Sequence, residues 1–138
     1  MEDLVEMIKV HEGVSHHVYK CPAGYETIGV GRNISESGLG LSDEEIDYLL
    51  TNDIMRCYKE LGTFQWFVDL DENRQFAMID MCFNLGLTRL LKFENMLAAL
   101  NVKDWETAAE EALDSRWAQQ VGNRAEKLAD IIRTGVIE

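Results

Sequence analysis

The chain has little proline, few basic residues and no long apolar run. A single proline and 46% hydrophobic residues among 138 exclude a disordered chain and predict one folded domain with a substantial core. Only 13 lysines and arginines stand against 25 acidic residues, which gives a formal net charge of −12. This surface lacks the basic footprint that nucleic acids require, so no nucleic acid is expected as a partner. No apolar stretch approaches the roughly 20 residues of a bilayer span, so no membrane insertion is predicted.

Cysteine is also scarce, and its three positions differ in setting. Cys21, Cys57 and Cys82 form an odd set without regular spacing, which argues against a disulfide framework and for a chain kept reduced, as in a cytosol. Cys57 and Cys82 fall inside apolar helical patterns and are predicted core residues, whereas Cys21 lies in a polar turn before Pro22 and should be exposed. No cysteine and histidine spacing suggests zinc, and no metal or organic cofactor is expected.

The periodicity of apolar residues predicts an α+β chain, mainly helical with a small β-hairpin lobe. Residues 17–33 read as strands and turns around Pro22-Ala23-Gly24, and residues 34–41 read as a loop. A capping box formed by Ser42 and Glu45 marks the start of the second helix. The predicted helices cover residues 2–12, 42–61, 71–85, 88–100, 103–114 and 123–134.

A single domain over residues 1–138 is predicted, with two lobes. The β-containing lobe spans about 14–60, and the helical lobe comprises residues 1–13 and 61–138. The first helix is assigned to the helical lobe because its apolar stripe needs other helices to bury it.

Glu12 is the first candidate for chemistry. It lies four residues after Ile8, at the end of the apolar stripe of the first helix, just before Gly13. Partial desolvation and the negative end of the helix dipole would both raise the pKa of this carboxyl, as a general acid requires. The alternative is an ordinary solvated glutamate at a helix end.

Cys21 and Thr27 are the next candidates. Lys20, His16 and His17 stand close to Cys21 in sequence and would increase its thiolate fraction; otherwise Cys21 is an incidental surface thiol. Strand alternation places Thr27 on the face opposite Glu26, although β-propensity alone also explains a threonine here.

Two residues of the helical part are ambiguous by themselves. Arg124 opens the last helix and is either a surface charge or a site residue. Trp117 is either a core residue or a platform for a sugar.

Together these pieces resemble the phage-type lysozymes, glycoside hydrolase family 24, and most closely those of the T-even bacteriophages. The resemblance covers nearly the whole chain. It rests on Glu12-Gly13, Tyr19-Lys20, Gly24 to Gly31, Phe83 to Gly86, Trp105 to Ala109, Ser115-Arg116-Trp117, Asn123-Arg124-Ala125 and Arg133-Thr134-Gly135.

The resemblance implies a two-lobed fold and hydrolysis of the β-1,4 bond between N-acetylmuramic acid and N-acetylglucosamine in bacterial peptidoglycan. Glu12 matches the catalytic acid of the family, Thr27 matches the threonine that helps to hold the attacking water, and Arg124 matches the arginine that pairs with the acid. The blocks that line the substrate cleft contain Phe83, Asn84 and Trp117.

The chain also departs from the family pattern. Cys21 stands where the family has its catalytic aspartate, Arg32 replaces the usual histidine, and Asn84 replaces the usual glutamine. The segment between 33 and 42 is short, which implies a reduced β lobe. Met96 and Glu111 occupy cleft positions that carry other residues in close relatives.

The leading hypothesis is an endolysin in which Glu12 is the general acid, Cys21 replaces the aspartate and Thr27 positions water. Attack by water would invert the anomeric centre, whereas attack by Cys21 would retain it, and both remain open. The main alternative is a catalytically weak or inactive peptidoglycan-binding module. A third reading is a structural piece of a phage particle, which would neither lyse nor bind walls.

No export signal is recognised at the N-terminus. We therefore expect a monomer in the host cytoplasm before lysis, which reaches the wall with the help of a holin or by carriage on a virion.

Overall fold

The computed structural model describes all 138 residues and confirms the α+β class. The strands are β1 (Ser15–Lys20), β2 (Glu26–Gly29) and β3 (Arg32–Asn33). The helices are α1 (Glu2–Glu12), α2 (Asp43–Leu61), α3 (Gln65–Val68), α4 (Glu72–Leu85), α5 (Leu87–Leu90), α6 (Glu94–Asn101), α7 (Trp105–Leu113), α8 (Arg116–Val121) and α9 (Asn123–Thr134). None of these helices combines the length and the apolar character that crossing a bilayer demands.

The chain divides into two compact units, residues 1–49 and residues 50–138. The first unit holds α1, the three strands and the start of α2, and the second holds the rest of α2 and every later helix. The lobes proposed from the sequence, with residues 1–13 assigned to the helical one, stay a prediction.

The sheet of the first unit is a three-stranded antiparallel meander in the order β1, β2, β3. Thr27 of the central strand is paired with Tyr19 on one side and with Asn33 on the other. With 2% of its surface exposed, Thr27 is the buried residue of this unit. The sheet therefore shields the Thr27 side chain from solvent more than any other in residues 1–49.

The segment that follows the sheet is anchored to the start of α2. The Arg32 guanidinium donates from Nη1 to Glu45 Oε1 at 2.8 Å and to the Gly40 carbonyl at 3.0 Å. The predicted capping box is confirmed, because the Ser42 N–H donates to Glu45 Oε1 at 2.8 Å while the Glu45 N–H donates to Ser42 Oγ at 3.2 Å. The hydrogen bond from Arg32, together with those from Ser42, lowers the pKa of Glu45 from 4.5 to about 2.

This depressed pKa predicts a pH window for the stability of the first unit. The ionised Glu45 stabilises the fold fully above pH 4.5, its ordinary pKa, and the contribution is lost as the pH falls toward about 2. Glu45→Gln keeps a capping oxygen but removes the charge. The variant should melt below the parent at neutral pH, and the two should converge in acid, as followed by circular dichroism. Glu44→Gln, which disturbs no ion pair, should track the parent throughout; a constant difference between Glu45→Gln and the parent at every pH would contradict the assignment.

The core lies in the second unit, where α7 packs on α6 and α9, and α9 also packs on α4 and α8. Cys57 and Cys82 belong to this core, as predicted.

The prediction of one helix over 88–100 is wrong in one respect, since the segment is broken into α5 and α6. The break consists of tight turns in which the Phe93 N–H donates to Leu90, and the Phe93 ring packs edge-on against Trp117 with centroids 6.2 Å apart. The short helices α3 and α8 were not predicted.

Arg74 joins three helices of this unit. Its guanidinium donates from Nε to the Ile132 carbonyl at 2.6 Å and from Nη2 to the Arg133 carbonyl at 3.1 Å, at the end of α9. It also lies 3.9 Å from the centre of the Trp105 ring on α7 and pairs with Asp71 at 3.0 Å. The side chain is only 11% exposed, so these contacts are largely shielded from water.

Candidate active site

The carboxylate of Glu12 lies against the main chain of Gly31, in the turn between β2 and β3. A methyl group added at Gly31 would come within 2.6 Å of Glu12 Oε2, and Gly31 has a φ of +66°. Both facts favour glycine, because any side chain would displace the carboxylate and strain the turn. The sequence predicted a partly buried acid, whereas Glu12 is exposed, and its contact with Gly31 ties it to the sheet.

Cys21 lies in the turn between β1 and β2. The turn is closed by the Cys21 N–H donating to the Tyr25 carbonyl at 3.0 Å and the Gly24 N–H donating to the Cys21 carbonyl at 2.8 Å. The side chain is half-buried rather than fully exposed. A main-chain hydrogen bond from Tyr25 is the largest of the effects that lower the pKa of the Cys21 thiol; Ala23, Thr27 and Gly24 add to it, and partial burial opposes it. The lowering therefore comes from backbone donors, and the charges of Lys20 and the histidines are not its source.

Thr27 connects the sheet to this thiol. Its hydroxyl donates to the Tyr25 carbonyl at 2.8 Å, and Thr27 is among the lesser causes that lower the pKa of the Cys21 thiol. A hydroxyl carries one proton, so donation to the carbonyl and donation to a thiolate are alternatives. Glu26 is exposed, in keeping with its predicted place on the other face of the strand. The first unit thus brings Cys21 and Thr27 together, and Glu12 lies beside Gly31, past the other end of β2.

Arg124, at the start of α9, is paired within the second unit with Asp80 of α4. Its Nε donates to Asp80 Oδ1 at 2.8 Å, and Nη2 lies 2.8 Å from the same oxygen and 3.3 Å from the Asp80 carbonyl. The pairing of Arg124 with Glu12 stays a prediction. Asp80 was not identified from the sequence; its only signal is a carboxylate within the apolar pattern of α4, three residues before Phe83.

The residues predicted to contact substrate lie in the second unit and differ in their exposure to solvent. Trp117 is 4% exposed, and its indole N–H donates to Asn84 Oδ1 at 2.7 Å, so only an edge is open and the ring offers no broad platform. Phe83 is 43% exposed. A cavity of about 590 Å³ is lined by Trp117 together with Met96, Glu111 and neighbouring residues. Such a volume and its mixed polar lining suit a sugar or a short peptide.

No group of three or more histidine, cysteine, aspartate or glutamate side chains is arranged to hold a metal ion.

A carboxyl at a helix end, a small antiparallel sheet with a buried threonine, and an ionisable thiol in the adjoining turn are compatible with glycoside hydrolysis, which needs an acid and a second polar group at one bond. The chain belongs to the phage lysozyme family, whose model matches residues 9–133. This confirms the predicted class of enzyme, a lysozyme that hydrolyses peptidoglycan.

Curated relatives extend this assignment. The chain is 26% identical to probable T4-type lysozyme 1 of Dictyostelium discoideum, over 99% of this chain and 97% of that protein. It is 25% identical to probable T4-type lysozyme 2 of the same organism, over 100% of this chain and 98% of that protein. It is also 29% identical to the pre-baseplate central spike protein Gp5 of Enterobacteria phage T4 over 98% of this chain, which spans only 28% of that protein. The alignments run over 163 to 166 positions against 138 residues, so this chain lacks segments that the relatives possess.

Proposed function

We propose that this lysozyme cuts the β-1,4 bond after N-acetylmuramic acid with Glu12 as general acid, the Cys21 thiolate in place of the usual aspartate, and Thr27 positioning the attacking water. The observation that carries the proposal is the turn over residues 21–25, which two main-chain hydrogen bonds close and whose backbone lowers the pKa of the Cys21 thiol next to the strand that holds Thr27.

The reaction needs a proton on one side of the sugar and a negative charge on the other. Glu12 protonates the bridging oxygen as the bond to the anomeric carbon breaks, and positive charge develops on that carbon. A thiolate at position 21 stabilises this charge and either accepts a proton from the attacking water or attacks the carbon itself. Both routes require ionised sulfur, and a neutral thiol serves neither.

The turn can supply this ionisation without a charged neighbour. Backbone N–H groups are fixed dipoles, and several of them aimed at one sulfur favour its anion. The formal net charge of −12 acts in the opposite direction, so these local donors are needed to keep the thiolate populated.

Variants at Cys21 test the proposal. Cys21→Ser keeps the size and hydrogen bonding of the side chain but cannot ionise, and it should lower the rate of wall lysis by about 10²-fold or more. Cys21→Asp restores a carboxylate and should remain within about tenfold of the parent. Because protonation removes the thiolate, activity of the parent should fall relative to Cys21→Asp as the pH is lowered from about 8 to about 6. Turbidity loss of a purified wall suspension measures all three proteins.

Glu26→Gln is the matched control, since Glu26 is the carboxylate next to Thr27 on the same strand. It should lyse walls at the rate of the parent. If Glu26→Gln is inactive while Cys21→Ser is not, Glu26 supplies the negative charge and the role assigned to Cys21 is wrong.

We also propose that the enzyme acts as a monomeric endolysin that accumulates in the host cytoplasm and reaches the wall through a holin lesion. Similarity to a phage spike protein supports carriage on a virion as the second route. Recovery of the protein in purified virions would favour carriage, and its release only at lysis would favour the endolysin role.

A further inference from the structure

Two buried cysteines lie on adjacent helices of the second unit. Cys57 of α2 is 4% exposed and Cys82 of α4 is 1% exposed, and neither forms a disulfide. Side chains of both helices line one cavity of about 480 Å³, and both cysteines belong to the same core cluster. That cavity is lined from α2 by Ile54 and Tyr58 and from α4 by Ile79 and Phe83.

The two thiols are neighbours in the core. Both belong to one buried cluster, and the residues that line the shared cavity stand beside each of them in sequence, Ile54 and Tyr58 for Cys57 and Ile79 and Phe83 for Cys82. Burial is the main effect that raises the pKa of Cys82 to about 12, and Cys57 adds to it. Cys82 is therefore rarely ionised in the folded, reduced protein, and because both thiols are buried, the pair should react only when local opening admits water and an oxidant.

We propose that Cys57 and Cys82 form an intramolecular disulfide when the enzyme enters an oxidising compartment. The oxidant is a small or protein-borne disulfide. One cysteine, as thiolate, attacks it to form a mixed disulfide; the second then displaces the oxidant's remaining sulfur. A sulfur–sulfur bond forms in the enzyme and one breaks in the oxidant, which leaves as two thiols carrying the two protons.

The substrate of the enzyme provides the reason for such a bond. Peptidoglycan lies outside the cytoplasmic membrane, where disulfides persist, whereas the cytosol keeps thiols reduced. The odd cysteine count, which argued for a fully reduced chain, is then explained by one pair and one free thiol, Cys21. A bond between residues 57 and 82 restricts the unfolded chain of the second unit, so it should raise the melting temperature by about 5–15 °C.

The experiment uses the full-length chain carrying Cys21→Asp, so that no third thiol can exchange. The protein is incubated with glutathione disulfide a few degrees below its melting temperature, unfolded in N-ethylmaleimide, and weighed by mass spectrometry. We expect a mass about 2 Da below that of the reduced chain, no maleimide adduct, and a peptide linking residues 57 and 82. The melting temperature should rise as stated and return when a phosphine reductant is added.

Cys57→Ala and Cys82→Ala, each in the same background, should show no oxidant-dependent rise in melting temperature. The proposal is overturned if the treated parent background still takes up two maleimides, if glutathione stays attached to either cysteine, or if oxidation lowers the melting temperature. None of these readouts requires catalysis, so the result is independent of the role proposed for Cys21.

Discussion

Replacing Glu12 by glutamine should reduce wall lysis by about 10²- to 10⁴-fold, the usual contribution of a general acid. Glutamine has nearly the same shape and keeps the contact with Gly31, but it has no acidic proton to give to the departing sugar. Because Glu12 is exposed, the fold should be unaffected. Lysis is followed as turbidity loss and as newly formed reducing ends, and circular dichroism checks the fold.

Glu6→Gln is the control, since Glu6 is an exposed acid on the same helix and makes only a long, exposed ion pair with Lys9 at 3.6 Å. It should lyse walls as the parent does. Parent-like lysis by Glu12→Gln would remove Glu12 from the mechanism. If the parent itself sediments with walls without clearing them, the chain is the binding module that the missing aspartate suggests.

The second large effect is expected on stability. Arg74→Ala should lower the free energy of unfolding by about 3–4 kcal/mol, because it removes two charged hydrogen bonds to the end of α9 and the stacking on Trp105. Arg74→Lys keeps the charge but loses the planar fork, so about 2 kcal/mol should be lost. Urea unfolding monitored by circular dichroism measures both variants.

Arg56→Ala provides the comparison, because Arg56 makes ion pairs on α2 with a side chain that is 64% exposed. It should change stability by less than about 1 kcal/mol. If Arg74→Ala unfolds within 1 kcal/mol of the parent, the contacts of Arg74 do not hold α4, α7 and α9 together.

Local signals in the sequence predicted much of this fold. The capping box at Ser42 and Glu45 and the turn at Pro22 each act over a few residues, so they can be recognised without knowledge of the rest of the chain. The break before α6 was missed because it is set by the packing of Phe93 on Trp117, which lie far apart in sequence. A helix as short as α3 gives no periodicity to detect.

The candidate site could be predicted from the sequence only in part, for the same reason. Glu12, Thr27 and Cys21 were proposed as site residues from their sequence blocks, but the groups that lower the pKa of Cys21 are mainly backbone donors, whose direction depends on the geometry of the turn. Asp80, the partner of Arg124 in the second unit, is distant from it in sequence. A single carboxylate within a helix gives no sequence signal of the residue with which it pairs.

The contrast between the thiols gives the enzyme a built-in attachment point. Cys21 is half-buried with a lowered pKa, while Cys82 is buried with a raised one, so a limiting amount of a maleimide dye should mark position 21 in the native protein. A fluorophore placed there would report on the surroundings of the turn over residues 21–25 without any engineered cysteine.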